Sequence, residues 1–402
     1  MSSNSASDSS PKHATQFDRA IVIVLDSVGI GALPDAPSYG DDGAATLPNV
    51  ARAVGGLALP NLGALGLGNI VAVDGTPPSR SPRAAHGKLG SQSRGKDTTS
   101  GHWELMGLPV KESFSTWPEG FPGEILDVLR KETGREVLGN KTASGTEVLE
   151  ELGPEQLRTG AWIVYTSADS VLQIAAHEEK IPLAELYAAC ALMRKVGDTH
   201  RIGRIIARPF VGEPGSFKRT YNRHDYSILP HGPTVLDNLT AAGVPVLGIG
   251  KIKDIFAGQG VPESVSTAGN ADGIARTLEA MGSFDEGLVF VNLVDFDMLY
   301  GHRNDAAGYA KALRELDAEI PRIIQGARPS DLIIFTADHG NDPTHPGTDH
   351  TREYVPLLVF GPRVRPVDLG VRQTFADVGA TVAAMFGVKP PGIGQSLLDL
   401  IG

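Results

Sequence analysis

Cysteine is nearly absent: Cys190 is the only one in 402 residues. A disulfide framework and a thiolate zinc cluster both need more, so the chain is expected to work in a reducing cytoplasm. No apolar run approaches the roughly 20 residues that a membrane helix requires, and no membrane association is expected. Basic charge is in deficit, with 36 Lys and Arg against 47 Asp and Glu for a net charge of −11, and no Lys/Arg block stands out. That excludes bulk attraction to nucleic acid or anionic lipid. Any phosphate must be caught locally, in a pocket or by a metal. Residues 1–17 lack the apolar centre of a secretory signal, and their polar composition predicts a disordered tail. Nothing implies an obligate protein partner.

What the chain does have is length beyond one hydrophobic core, which predicts two domains. Its 48 glycines and 28 prolines predict many tight turns between alternating elements. Ile21-Val22-Ile23-Val24-Leu25 is short, β-branched and continuously apolar, as in a strand buried on both faces, and it ends at Asp26. Three later segments repeat the pattern. Residues 244–250 lead into Lys251, residues 288–294 into Asp295-Phe296-Asp297, and residues 332–336 into Asp338-His339-Gly340-Asn341-Asp342. Leu313, Leu316, Ile320, Ile323 and Ile324 recur at helical spacing, and residues 377–386 read as a helix closed by Gly387. Strands alternating with amphipathic helices imply an α/β fold with a mostly parallel sheet covered on both faces, whose ligands sit beyond the carboxyl ends of the strands. Residues 108–231 differ: they are loop-rich at first, then carry two strands across 162–174, then gather Arg204, Arg208, Lys218, Arg219 and Arg223. Acidic strand ends lie on both sides of this stretch. The expected division is therefore a tail (1–17), a first core part (18–107), an inserted α+β cap (108–231) and a second core part (232–402).

The histidines point to the chemistry. His302, His339 and His350 occur with Asp297, Asp338 and, from the first strand, Asp26. Burying several unpaired carboxylates together costs several kcal/mol each, a penalty that divalent cations remove. Three carboxylates and three neutral imidazoles carry three negative charges, which two divalent ions more than neutralise, leaving a hole suited to phosphate. Oxygen and imidazole ligands without thiolate suit Mn²⁺, Zn²⁺ or Mg²⁺. Asp295 is the weaker candidate beside Asp297, and Asp342 and His345 read as supporting residues. A second segment, Gly95-Lys96-Asp97-Thr98-Thr99-Ser100-Gly101-His102-Trp103-Glu104, places three hydroxyls between glycines. It reads either as a helix cap, with Glu104 closing a capping box on Ser100 or Gly101, or as a nucleophile activated by a metal. Lys251, at a strand end, is a candidate phosphate contact, as are Arg208, Arg219 and Arg223.

These segments, together with Asp26-Ser27-Val28-Gly29-Ile30-Gly31, Tyr165-Thr166-Ser167-Ala168-Asp169-Ser170 and the residues from Ala207 to Pro214, resemble the phosphopentomutases of the alkaline phosphatase superfamily. The likeness covers nearly everything after the tail. It implies an alkaline-phosphatase-like core and a two-manganese site, with Asp26, Asp338 and His339 on one ion and Asp297, His302 and His350 on the other. It further implies that Thr98 is phosphorylated and that Asp169, Arg204 and Arg208 of the cap engage a sugar phosphate. The expected reaction interconverts ribose or deoxyribose 1-phosphate and 5-phosphate, with a bisphosphorylated sugar as primer. Thr99-Ser100 stands where such enzymes often carry Met-Thr, which makes Thr99 a competitor for the nucleophile. A metal-dependent hydrolase, a phosphoglycerate mutase and a silent binding protein are the competing readings.

Overall fold

The computed structural model describes residues 17–167 and 170–402. In chain order its strands are β1 (Arg19–Leu25), β2 (Ala85–Leu89), β3 (Val137–Thr142), β4 (Trp162–Thr166), β5 (Val171–His177), β6 (Arg204–Val211), β7 (Lys218–Arg219), β8 (His224–Ser227), β9 (Val246–Ile249), β10 (Glu263–Val265), β11 (Gly287–Leu293), β12 (Asp331–Thr336), β13 (Val355–Phe360) and β14 (Asp368–Arg372). They form two sheets. The larger has the order β10-β9-β11-β1-β12-β13-β2-β14, and every pairing in it is parallel except the two made by β13.

Strand β1 is buried along its whole length, as its unbroken apolar run requires, because helices cover both faces of a parallel sheet. It runs between β11 and β12 in a register that sets Leu25 beside Leu293 and Val24 beside Thr336. The carboxyl ends of three central strands therefore lie side by side. The opposite edge is locked by a fully buried ion pair: Arg19 donates through Nε and Nη2 to Asp331 at 2.8 and 2.7 Å, and through Nη1 to the Met281 carbonyl. The helix Ala306–Gln325 packs Leu313, Leu316, Ile320 and Ile323 into the core, and Asp305 caps its start by accepting from Gly308 N. The helix Ala376–Met385 is followed by Gly387 at φ 61°, near the predicted stop.

The smaller sheet, β3-β4-β5-β6-β7 with β8 also on β6, lies wholly inside the 108–231 stretch and is mixed. Its strands show strict period-two patterning. Trp162, Val164, Leu172 and Ile174 point to one cluster, with the helices Gly123–Thr133 and Leu183–Thr199, while Ile163, Tyr165 and Ala175 point to another with the helix Glu147–Thr159. Neither cluster merges with the core around the large sheet. The 162–174 segment folds as two antiparallel strands, with Val164 opposite Ile174.

Candidate metal and phosphoryl-transfer site

The aligned strand ends bring the six acid and histidine candidates together. Asp26 directly follows β1, and Asp338 and His339 follow β12. Asp297 lies in the π-helical turn Phe296–Tyr300 after β11, and His302 in the next turn, Gly301–Arg303. His350 arrives from the loop before β13. Asp26, Asp338 and His339 form one cluster and Asp297, His339 and His350 another, with one potential ligand atom from each residue within 4.8 Å of the others. His302 joins the second: its Nε2 lies 3.2 Å from Asp297 Oδ2 and 3.1 Å from His350 Nε2. Asp295 turns away, accepting from Asn270 N at 2.7 Å. Asp342 holds Ala45 N and Thr344 N.

These residues fit divalent cations. Asp26 Oδ1 and Asp338 Oδ2 are buried and accept no hydrogen bond among the described residues, a costly state for carboxylate oxygens. Both lie against the same ring nitrogen, His339 Nε2, at 3.4 and 3.3 Å. His339 Nδ1 is 3.1 Å from the Gly340 carbonyl and His302 Nδ1 is 2.6 Å from the Thr348 carbonyl, so each ring donates from Nδ1 and turns the Nε2 lone pair inward, the tautomer a metal needs. Burial, aided by Asp338 and Asp297, pushes the Asp26 carboxyl well above its usual range. Burial would raise Asp297 as well, but His350 and His302, in their protonated forms, outweigh it and hold that carboxyl well below.

Thr98 is the first residue of the helix Thr98–Leu105, and its Oγ1 lies 3.1 Å from His339 Nε2. The cap differs from the expected capping box. Asp97 is the N-cap, accepting from Ser100 N at 3.0 Å and from Ser100 Oγ at 2.6 Å, which also ties up one of the three candidate hydroxyls. Glu104 instead reaches into the core, where Gln92 N, Ser93 N and Thr374 Oγ1 donate to it.

Several buried polar residues were given no role by the sequence, although Ser27 and Asn341 lie within its motifs. Asn292 Nδ2 donates to Asp26 Oδ2 and Asn341 Nδ2 to Asp297 Oδ1, both at 2.8 Å. Ser27, at φ 73°, donates its N–H to Asp338 Oδ1 at 3.1 Å, and its hydroxyl meets Tyr309 Oη at 3.0 Å. Glu353 lies beneath the loops and accepts from Gly31 N, Thr46 N, Thr46 Oγ1 and Thr351 Oγ1.

Above the site opens a cavity of about 880 Å³, lined by Thr98, Asp26 and Asp297 from the large-sheet side and by Arg204, Arg208 and Arg223 from the smaller-sheet side. Lys251 lines it too. Burial, and secondarily Arg204, lowers its ammonium pKa, with Asp26 and Asp297 offsetting part of this. Arg208 donates to Gln173 Oε1 at 2.9 Å and is pushed down to about 10 by burial and by the like charges of Arg223 and Arg219. Such a crowded guanidinium is relieved by an anion. Arg223 is held bidentately by Asp225 at 2.6 Å. Arg219 is not part of the lining and lies against Tyr165 Oη. Asp169 lies outside the described residues.

Residues 18–390 match the family described as the metalloenzyme superfamily. The chain is similar to phosphopentomutase from Anaeromyxobacter dehalogenans, 57% identical over 386 residues that cover 96% of this chain and 98% of the relative. It is similar also to phosphopentomutase from Caldanaerobacter subterraneus, 56% identical over 385 residues, covering 95% and 98%. Among solved structures, phosphoglycerate mutase from Leishmania mexicana aligns over 96% of this chain and 98% of its own at 13% identity, with a TM-score of 0.48. The match to the two mutases runs almost end to end and takes in both the metal-ready strand ends and the arginine-bearing insertion: the chain belongs to the phosphopentomutase family, within the metalloenzyme superfamily.

Proposed function

We propose that the protein interconverts ribose or 2-deoxyribose 1-phosphate and the corresponding 5-phosphate, through a phosphothreonine at Thr98 and a 1,5-bisphosphate. The observation that carries this reading is the position of Thr98 Oγ1, 3.1 Å from a ring nitrogen that also meets Asp26 and Asp338, in the lining of a cavity that Arg204, Arg208 and Arg223 also line. Asp26, Asp338 and His339 would hold one divalent ion, and Asp297, His302 and His350 the other, with Mn²⁺ the expected metal. When bound, such ions neutralise phosphoryl oxygens and favour the alkoxide of a nearby hydroxyl.

The chain's own residues supply alignment, which dominates phosphoryl transfer. Asp97 fixes the helix start so that Thr98 faces the acids. The free hydroxyl oxygen of a bound pentose monophosphate attacks the phosphorus on Thr98, the Oγ1–P bond breaks, the proton lost by the hydroxyl is balanced by one gained at Oγ1, and a bisphosphate results. The bisphosphate then reorients, or dissociates and rebinds, and Thr98 Oγ1 attacks the other phosphorus, whose bond to the sugar oxygen breaks. Arg204, Arg208, Lys251 and Asp169 would hold the remote end of the sugar phosphate. Residues 108–231 act in this reading as a cap, excluding the water that would hydrolyse the phosphothreonine. Among the described residues no helix is long and apolar enough to cross a membrane. The reading places the enzyme in the cytoplasm, with a pentose phosphate as its partner, a bisphosphorylated sugar as primer, and neither nucleic acid nor an obligate protein partner.

The test is a product assay on the purified protein with ribose 1-phosphate and Mn²⁺, with and without a pentose bisphosphate primer. Formation of ribose 5-phosphate, with phosphate on Thr98 by peptide mass spectrometry, supports the reading. Release of free phosphate marks a hydrolase. Full turnover by Thr98→Ala would move the nucleophile to Thr99.

A further inference from the structure

His102 lies one helical turn beyond Thr98, on the same face of its helix, and is fully buried. Its ring rests against Phe290 of β11, with centroids 5.8 Å apart. An imidazole taken out of water needs partners for both nitrogens, and here both are directed at the site. Nδ1 lies 2.9 Å from the Thr98 carbonyl oxygen and donates along that line. Asp338 Oδ2 lies 3.1 Å from the same nitrogen, to the side of the N–H, so it feels the dipole without receiving the hydrogen bond. Both neighbours of Nδ1 are acceptors, which fixes the Nδ1–H tautomer and leaves a lone pair on Nε2. That lone pair faces Asn292 Nδ2 at 3.5 Å, and the same amide donates to Asp26 Oδ2 at 2.8 Å.

One ring thus touches the main chain of Thr98, borders Asp338, and reaches Asp26 through a single amide. We infer that His102 is a positioning residue: it sets the start of the Thr98 helix in register with the Asp26–Asp338 pair, so that the hydroxyl and the two carboxylates address the same ion. The inference rests on the reading of Thr98 as phosphoryl carrier. A histidine that only filled core space would need its nitrogens paired, but not with Thr98 and the site acids. A positioning histidine depends on the Nδ1 donor above all, because that atom meets both Thr98 and Asp338.

Three variants separate these roles. His102→Asn keeps a donor close to the Nδ1 position, His102→Gln puts its amide out near Nε2, and His102→Leu keeps only bulk. Residues that orient metal ligands typically carry 10- to 100-fold of affinity or activity. His102→Leu should therefore lose about 10- to 100-fold in kcat, with KM for ribose 5-phosphate changed less than about threefold. Calorimetric titration of the metal-free, unphosphorylated protein with Mn²⁺ should weaken by a similar factor. His102→Asn should recover most of both losses and His102→Gln little, while thermal unfolding in EDTA ranks the three differently from kcat. Wild-type Mn²⁺ affinity and kcat in His102→Leu would overturn the inference. So would equal losses in the Asn and Leu variants that follow their melting temperatures. The Mn²⁺ titration does not depend on which reaction is catalysed. A wild-type protein without mutase turnover would overturn the proposed function, while the affinity series would still report on His102.

Discussion

Gly101 and Asp338 meet with no room between them: a β-carbon at position 101 would lie 2.1 Å from the Asp338 carbonyl oxygen and 2.8 Å from its Cβ. The Thr98 helix can lean on the end of β12 only because residue 101 has no side chain. Alanine is the better helix former by about 1 kcal/mol, yet overpacking against backbone costs about 1–3 kcal/mol, so the clash wins. Gly101→Ala should push the helix back and carry Thr98 with it. Displacement of a reacting group by about 1 Å can cost 100-fold, and a kcat loss well above tenfold with little change in circular dichroism is the expected outcome. A fully active Gly101→Ala would show that the contact yields without moving Thr98.

The buried carboxylates predict an exchange between stability and function. Without metal, Asp26 is crowded by Asp338 and Asp297. Asp26→Asn removes one of the repelling charges and keeps an oxygen able to accept from Asn292. In EDTA the variant should melt higher than the wild type, by at least about 2 °C. In Mn²⁺ the order should reverse, because binding to the native state adds stability only where affinity is intact. Melting curves under the two conditions decide it, and a wild type more stable in both would sink the argument.

Glu353 yields a pH prediction. Burial, partly offset by Thr351 and Thr46, pushes its carboxyl up to about 7 from 4.5. An acid whose pKa rises on folding binds its proton more tightly in the native state. Its contribution is complete below pH 4.5 and is lost as pH climbs through 7. Glu353→Gln cannot titrate, so the stability difference between wild type and variant should shift against the wild type from pH 5 to 8, by on the order of 3 kcal/mol. Urea titrations of both proteins at several pH values measure it, and a constant difference would contradict it.

At the far edge of the sheet, Arg19→Met leaves Asp331 charged and buried without its partner. The expected loss is about 3–5 kcal/mol of unfolding free energy. Replacing both residues by apolar ones should restore much of it, and kcat should stay within about twofold because the pair lies at the opposite strand ends. Paired urea titrations and a kcat measurement on the single and double variants test this.

What could be read in advance follows from how local each signal is. Strand β1 announces itself because its five central residues are all apolar and an acid stops the run. Asp338 and His339 stand out for the same reason after β12. Strands β2, β13 and β14 did not stand out. Ala85–Leu89 contains a glycine, a histidine and a lysine, Val355–Phe360 carries Pro356, and Asp368–Arg372 is largely exposed. The polar residues around the site were hidden for another reason. Asn292 sits inside an apolar strand, and its partner Asp26 lies 266 residues away; Glu353 sits inside a loop, and its donors Gly31 and Thr46 lie more than 300 residues away. His102 was visible as a letter in a motif, but its role depends on Asp338 and Asn292, which no spacing within the helix encodes. Asp97 took the cap in place of the Glu104 capping box because Glu104 has several donors in the core.

Strand β1 precedes every other described strand, yet Arg19 waits 312 residues for Asp331, and both neighbouring strands come from the last third of the sequence. The 108–231 stretch has no such delay, since the strands of its sheet pair only with one another. During synthesis the smaller sheet can thus form while β1 is still an unpaired apolar strand. A nascent chain stalled before β12 therefore exposes the apolar β1 without one of its two neighbours.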